Sequence, residues 1–299
     1  MNPVIEITNL SKYYGRSRGI EDISFEVRQG DIFGFIGPNG AGKSTTIRIL
    51  LNLIFPTSGT GRIFGMDMVR NSKQIRSRIG YVPSDANLYD RMRVYEFLKY
   101  CADFYNVNKS EVKIHDLADI FDLGLDRKIP ELSMGNKKKV TIVQALIHHP
   151  ALLILDEPTT GLDPLIQARF FDLLHKENKN GTTIFFSSHN LSEVQSFCKT
   201  VAIIREGKII NVEEIAALRK KQLKRIKISF SEEMNIPEMA LDGVELVEKE
   251  TGKNIEFLFS GNINELINKF SGYKIEDRVI EEPPLEEIFL HYYKGGGKG

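Results

Sequence analysis

Eight residues, Gly37-Pro38-Asn39-Gly40-Ala41-Gly42-Lys43-Ser44, restrict the fold of this chain more than any other stretch. They fit the pattern G-x-x-x-x-G-K-[ST]. Before them runs a more continuously apolar strand, Asp31 to Ile36, and after them a helical run, Ser44 to Leu53. Strand, glycine-rich loop and helix in that order open an α/β nucleotide-binding core whose central strands are buried on both faces. The glycines let backbone N–H groups turn inward around a polyphosphate, and the following helix presents its positive end. Gly37 to Thr45 are therefore the candidate phosphate-binding residues. Lys43 would place a mobile charge between the β- and γ-phosphates, and Ser44 would ligate Mg²⁺, a hard ion that keeps several waters. The G-x-G-x-x-G spacing of a dinucleotide loop is absent.

A polyphosphate loop needs carboxylates near it to do chemistry. Leu152-Leu153-Ile154-Leu155-Asp156-Glu157 reads as a buried strand with two acidic residues at its tip. In such an architecture the tip faces the phosphates, so Asp156 would hold Mg²⁺ through water and Glu157 would polarise the attacking water as general base. The plainer alternative is a strand that ends in an acidic turn before Pro158.

Composition narrows the remaining classes. The 299 residues carry 40 Lys+Arg and 40 Asp+Glu, with 41% hydrophobic and 27% charged side chains, which is globular and has no charge excess to drive nonspecific nucleic-acid binding. The neutrality hides an asymmetry. Residues 226–290 hold 15 acidic and 6 basic side chains, against 25 and 32 in residues 1–225, which suggests a boundary near 220–226. Cys101 and Cys198 are far apart with no C-x-x-C, so two buried reduced thiols are expected rather than a disulfide or zinc site. MNPVIEITNL has neither a basic n-region nor an apolar h-region, and no run approaches 18 apolar residues. The chain is not expected to cross a membrane by itself.

Along the chain, Val4 to Ile7 and Ile23 to Val27 alternate like strands, and a short strand is expected at Ile63-Phe64. Val94 to Leu123 reads as helices. A helix from about Pro164 to Lys176, a strand from Thr183 to Ser187, and a hairpin of Val201–Arg205 with Lys208–Asn211 follow. Beyond the basic run Arg219 to Arg225, which reads as a charged linker, short strands and one helix near Ile263 to Phe270 suggest a small α+β appendix. Lys137-Lys138-Lys139 reads as a solvated helix face, and His148-His149 as a helix end before Pro150.

With these motifs in place, the sequence resembles the nucleotide-binding subunits of ABC transporters, specifically exporter-type cassettes with a short C-terminal extension. The resemblance covers residues 4–218 and includes the ending Pro283-Pro284-Leu285-Glu286-Glu287-Ile288-Phe289. Leu132-Ser133-Met134-Gly135-Asn136 stands where that family has L-S-G-G-Q at the start of a helix. The resemblance implies that Ser133 and Gly135 contact ATP held by a second subunit, in a head-to-tail dimer around two nucleotides. It implies that Tyr14, with Tyr13 as the fallback, stacks on adenine. Thr160-Gly161-Leu162-Asp163 corresponds to the D-loop, giving Asp163 a place between the two sites, and His189 to the switch histidine on the γ-phosphate.

The fold implied is a P-loop ABC core over residues 1–218, with a helical insert at about 85–148, and a small C-terminal α+β domain over 219–299. The implied activity is Mg²⁺-dependent ATP hydrolysis. It would drive a separate integral-membrane permease at the cytoplasmic face of the membrane, with export favoured and nucleic acid excluded. The permease would dock around Ser84 to Phe104, including Leu88, Tyr89, Tyr95, Phe97 and Tyr100, although each aromatic could equally pack inside the insert. Three residues depart from the family. Ser84 replaces the Q-loop Gln as a Mg²⁺ ligand with a shorter reach, so Asp85 or water would assist. Met134 replaces a signature glycine, with a risk of crowding if its φ is positive, and Asn136 replaces Gln. Two other readings stay open: a non-transport ABC ATPase on DNA or ribosomes, for which coiled coils or tandem cassettes are missing, and a regulatory subunit that binds ATP but hardly turns it over.

Overall fold

The computed structural model describes residues 3–86, 88, 91–220, 224–232 and 244–281. The chain divides into two compact units, Met1–Glu213 and Glu214–Gly299.

The first unit opens with β1 (Pro3–Tyr14) and β2 (Ser17–Arg28), followed by β3 (Ile32–Ile36), α1 (Lys43–Leu50), β4 (Ser58–Ile63) and the two-residue β5 (Met66–Asp67). β1 is much longer than the alternation at Val4–Ile7 suggests. Register shifts between Ile7 and Lys12, with Asn9 at φ 48°, interrupt the period-two pattern without ending the strand. β1, β2, β4 and β5 form an antiparallel sheet in the order β2-β1-β4-β5. α1 stops at Leu50, three residues short of the expected end, because Asn52 turns the chain at φ 51°.

After α2 (Ser72–Arg76) come β6 (Ile79–Val82) and the helices α3 (Val94–Phe104) and α4 (Ser110–Ile120). A 3-10 turn at Ile129–Glu131 leads to α5 (Met134–Leu146), β7 (Leu152–Asp156), α6 (Pro164–Lys179), β8 (Thr183–Ser188), α7 (Leu191–Phe197), β9 (Thr200–Arg205) and β10 (Lys208–Glu214). The central sheet runs β10-β9-β3-β8-β7-β6, with β9, β3, β8, β7 and β6 parallel. β3, β7 and β8 are buried at every residue, as strands covered on both faces must be. Phe25 of β2 packs on Phe33, Phe35 and Phe185, with ring centroids 5.6–6.1 Å apart, and so joins the antiparallel sheet to the parallel one. Between β9 and β10, Glu206 and Gly207 both have positive φ, the geometry of a type I′ turn.

The second unit holds α8 (Ile215–Lys220), β11 (Lys224–Phe230), β12 (Val244–Thr251), β13 (Asn254–Phe259), α9 (Ile263–Phe270) and β14 (Ile275–Glu281). The basic run read as a linker thus contributes to a helix and a strand on either side of residues 221–223, which lie outside the described set. The sheet order is β12-β13-β11-β14, antiparallel throughout. Ile226, Ile228, Phe230, Phe257 and Phe259 form its core with Leu266 and Phe270 of α9. Both cysteines are buried free thiols.

One half-buried group gives the first unit a pH-dependent stability. His148, just after α5, stacks flat on Tyr105 with centroids 3.9 Å apart, and its Nε2 lies 3.2 Å from the Ile79 carbonyl. Its Nδ1 is buried without a partner. Burial therefore holds the imidazole down at about 4, below its ordinary 6.5. The unfolded chain binds the proton first, so this contribution is complete above pH 6.5 and is lost as pH falls toward 4. His148→Phe keeps the ring stack and removes the proton site. Urea unfolding should show a shallower loss of stability over that interval than in the wild type; equal slopes would contradict the assignment.

Candidate active site

Parallel registry sets the strand ends level. Ile36 pairs with Ser188, Ser187 with Asp156, and Leu155 with Val82. The residues that leave these strands, Gly37, His189, Glu157 and Pro83-Ser84, are therefore delivered to one carboxyl edge of the sheet. That edge is where open α/β sheets bind ligands.

The loop after β3 is shaped by its glycines. Gly40 at φ 79° and Gly42 at φ 111° adopt the left-handed region, and a Cβ on Gly37 would lie 2.2 Å from the Ile204 carbonyl oxygen. Gly42 then caps α1, whose first residue is Lys43. The Lys43 ammonium is buried and donates to the carbonyls of Gly37 at 2.7 Å and Pro38 at 3.2 Å. It also lies 3.4 Å from Glu157 Oε1. The other carboxylate oxygen, Oε2, is 3.2 Å from His189 Nδ1. Lysine, glutamate and histidine from three separate motifs thus form one chain of charge and hydrogen-bonding groups.

Asp156 is buried at the end of β7, and its Oδ1 makes no hydrogen bond of ordinary geometry. Burial pushes its carboxyl up; the hydroxyls of Ser44 and Ser187 pull it back, the Glu157 charge adds to the rise, and Lys43 opposes it. An orphaned buried carboxylate oxygen beside a serine hydroxyl fits an aquated cation. Among the described residues no cluster of three or more His, Cys, Asp or Glu could hold a metal alone. Ser44 and Asp156 are donors of the kind that would suit a Mg²⁺ carried in on substrate phosphates.

Glu157 itself sits at φ 47°, a left-handed conformation costing a non-glycine residue about 1–3 kcal/mol. Its N–H donates to the Ser187 carbonyl at 3.0 Å, which helps hold it there. Glu193 of α7, a residue the motifs do not single out, braces the neighbouring turns. Its two carboxylate oxygens accept from Thr159 Oγ1 and Ser188 Oγ, both at 2.9 Å.

The signature segment lies elsewhere on the same unit. Ser133 caps α5, its Oγ accepting from the Asn136 N–H at 3.3 Å. Met134 is 72% exposed and has an ordinary negative φ, so the feared crowding from a positive φ does not arise. Gly135 packs on the D-loop: a Cβ there would lie 2.5 Å from the Gly161 carbonyl oxygen. Gly135→Ala should therefore lower the unfolding free energy by about 1–3 kcal/mol in a urea titration. Wild-type stability would show that the two backbones can part freely. Asp163 caps α6 through the Ile166 N–H at 3.0 Å, with Pro164 next.

Other candidates are placed without being joined to this cluster. Tyr14 and Tyr13 end β1, both exposed, with the Lys12 ammonium 5.4 Å from the centre of the Tyr14 ring. Ser84 and Asp85 follow β6. Phe97 is buried within the helical insert, whereas Tyr100 and Phe104 are exposed. Tyr89 and the ending Pro283–Phe289 lie outside the described residues. The reading of Lys137-Lys138-Lys139 as solvated is wrong for its middle member: Lys138 is 2% exposed. Its ammonium donates to the carbonyls of Pro83 at 2.7 Å, Ser84 at 2.8 Å and Glu157 at 3.3 Å. Helical spacing is the signal that could have found it, because Lys138, Thr141, Ile142 and Ala145 form one buried i, i+3, i+4, i+7 stripe.

Comparison with known proteins agrees with this geometry. The ABC transporter family model matches residues 20–160. The chain is 34% identical over 314 residues to the bacitracin transport ATP-binding protein BcrA of Bacillus licheniformis, covering 100% of both chains. A solved ATP-binding subunit of an ABC transporter superposes with a TM-score of 0.69 at 30% identity, over 73% of this chain and 92% of that one. The cassette MJ0796, solved as a dimer in a post-hydrolysis state with ADP and Pi, shares the fold with a TM-score of 0.66 at 23% identity, over 71% of this chain and 98% of that one. A P-loop α/β core with the phosphate loop, strand-end carboxylates and histidine on one edge, matched end to end by such a relative, belongs to the ABC transporter ATP-binding proteins, and the chain is an ATP-hydrolysing transporter subunit.

Proposed function

We propose that this chain works as one half of a head-to-tail dimer that closes around two Mg-ATP and transmits the closure to an integral-membrane permease. The observation that carries the reading is the line Lys43–Glu157–His189 at 3.4 Å and 3.2 Å beside the phosphate loop.

The Glu157 carboxylate and two carbonyls satisfy Lys43. ATP phosphates compete for the same ammonium, so nucleotide binding frees Glu157 to turn toward a water at the γ-phosphate. Glu157 takes a proton from that water, the new oxygen–phosphorus bond forms, and the bond to the β,γ-bridging oxygen breaks to leave ADP and phosphate. His189 steadies the Glu157 carboxylate and reaches the γ-phosphate. When bound, Mg²⁺ held by Ser44 and Asp156 neutralises phosphate charge. Ser84, which follows β6, would be a further ligand candidate. Tyr14 supplies the exposed ring for adenine.

Within one chain, Gly135 packs on Gly161, and Ser133 caps its own helix. This supports a role for the signature at the partner's nucleotide, with Asp163 at the junction between the sites. The permease surface in this reading is the groove of about 490 Å³ lined by Leu88, Phe97, Tyr100, Cys101, Phe104 and Tyr105. Phe104 is 73% exposed there, an apolar surface suited to a short amphipathic helix. Among the described residues no helix is long and apolar enough to cross a membrane, so a separate permease would place the chain at the cytoplasmic face. The resemblance to exporter-type cassettes supports export, with the cargo chosen by the permease. Phe104→Glu tests the docking surface: pull-down of the co-expressed permease should fail while ATP turnover of the isolated chain persists. Undiminished capture would remove this groove from the interface.

A further inference from the structure

Lys138 is the buried cation that none of the motifs explains. It lies on the second turn of α5, the helix that begins at the signature segment, and its side chain points away from solvent. An ammonium has three protons, and each has a carbonyl here: Pro83, Ser84 and Glu157. Three segments distant in sequence therefore meet on one nitrogen. One is the turn after β6, one is the tip of β7, and the third is the signature helix that carries the lysine.

Two features of the chain make this junction consequential. Glu157 holds a left-handed φ of 47°, so the direction of its side chain depends on how its peptide groups are tethered. The Ser187 carbonyl holds the N–H side, and the Glu157 carbonyl accepts from the Lys138 ammonium at 3.3 Å and from the Thr160 N–H at 3.4 Å. Further, the residue after Pro83 is Ser84, whose hydroxyl is too short to span from this turn to the attacking water as an amide would. Lys138 joins this turn to the Glu157 backbone through the carbonyls of Pro83, Ser84 and Glu157. Burial pushes the lysine toward neutrality, while Asp156, Asp85 and Glu157 favour its charge.

We propose that Lys138 is a positioning residue for ATP hydrolysis, its ammonium aiming Glu157 and tying it mechanically to the Ser84 turn. The inference rests on Glu157 being the general base. It predicts that loss of the ammonium disturbs turnover and leaves nucleotide capture by the phosphate loop intact.

The test is steady-state Mg-ATP hydrolysis by the purified full chain, in wild type, Lys138→Met, Lys138→Gln and Glu157→Gln, normalised to folded protein by circular dichroism. Lys138→Met keeps the apolar stem and removes every donor; Lys138→Gln keeps two shorter donors. A base misplaced by about 1 Å costs up to about a hundredfold. The expected order of kcat is wild type, then Gln, then Met, with Met down about ten- to hundredfold and KM for ATP within about twofold. A kcat for Lys138→Met within twofold of wild type would overturn the proposal. So would a KM that rises as much as kcat falls, or a Gln variant no better than Met. Should Lys138→Met fail to fold, Lys138→Gln decides alone: lowered kcat at constant KM supports positioning, and wild-type kcat overturns it. Turnover by Glu157→Gln would instead bring down the general-base reading, a result distinct from any of these.

Discussion

Lys43→Ala is expected to weaken Mg-ATP binding by at least about a hundredfold. The ammonium is buried in the loop, where it bonds the Gly37 and Pro38 carbonyls, and it would give charged hydrogen bonds to a bound polyphosphate. Each such bond contributes about 1.5–3 kcal/mol, and two of them to phosphate amount to two or more decades of affinity. The substitution also leaves the carbonyls of Gly37 and Pro38 without their donor. The Glu157 carboxylate, 3.4 Å away, then faces incoming phosphates without a neutralising charge. Isothermal titration with Mg-ATP would read the loss directly. Affinity within tenfold of wild type would mean that the backbone N–H groups alone hold the polyphosphate.

Glu157→Gln is expected to lower kcat by about a hundred- to ten-thousandfold, the usual range for removing a positioned base. Binding should survive and even tighten. Lys43 must give up its carboxylate partner when ATP arrives, and a neutral amide asks for no such exchange. Single-turnover hydrolysis beside equilibrium ATP binding separates the two effects. Turnover near wild type would remove Glu157 from the proton-transfer role and leave substrate phosphate or another group as the base.

Much of the catalytic edge was legible because its chemistry is local in sequence. A phosphate loop needs particular residues at fixed offsets, and the buried strand Leu152–Asp156 announces its own tip. His189 follows β8 as Glu157 follows β7, and parallel registry brings both to Gly37. The Met134 concern could not be settled from sequence, since its backbone angle is set by the capping of α5. Lys138 was misread for the opposite reason. Three consecutive lysines look solvated when counted as a run, yet one of them falls on the buried stripe of a helix, where carbonyls just past the ends of β6 and β7 satisfy it. Glu193 carries no motif of its own, and its partner Thr159 lies 34 residues away, brought to it by the pairing of β7 with β8, while Ser188 is a local neighbour. β1 was underread because bulges broke its alternation.

In the proposed mechanism two nucleotides are shared between two copies of this chain. Sedimentation velocity of Glu157→Gln, with and without Mg-ATP, reports whether arrested nucleotide holds a dimer together. A monomer that becomes a dimer only with ATP, beside a wild type that hydrolyses ATP and returns to monomer, is the predicted result. A variant that binds ATP and remains monomeric at every protein concentration would contradict it.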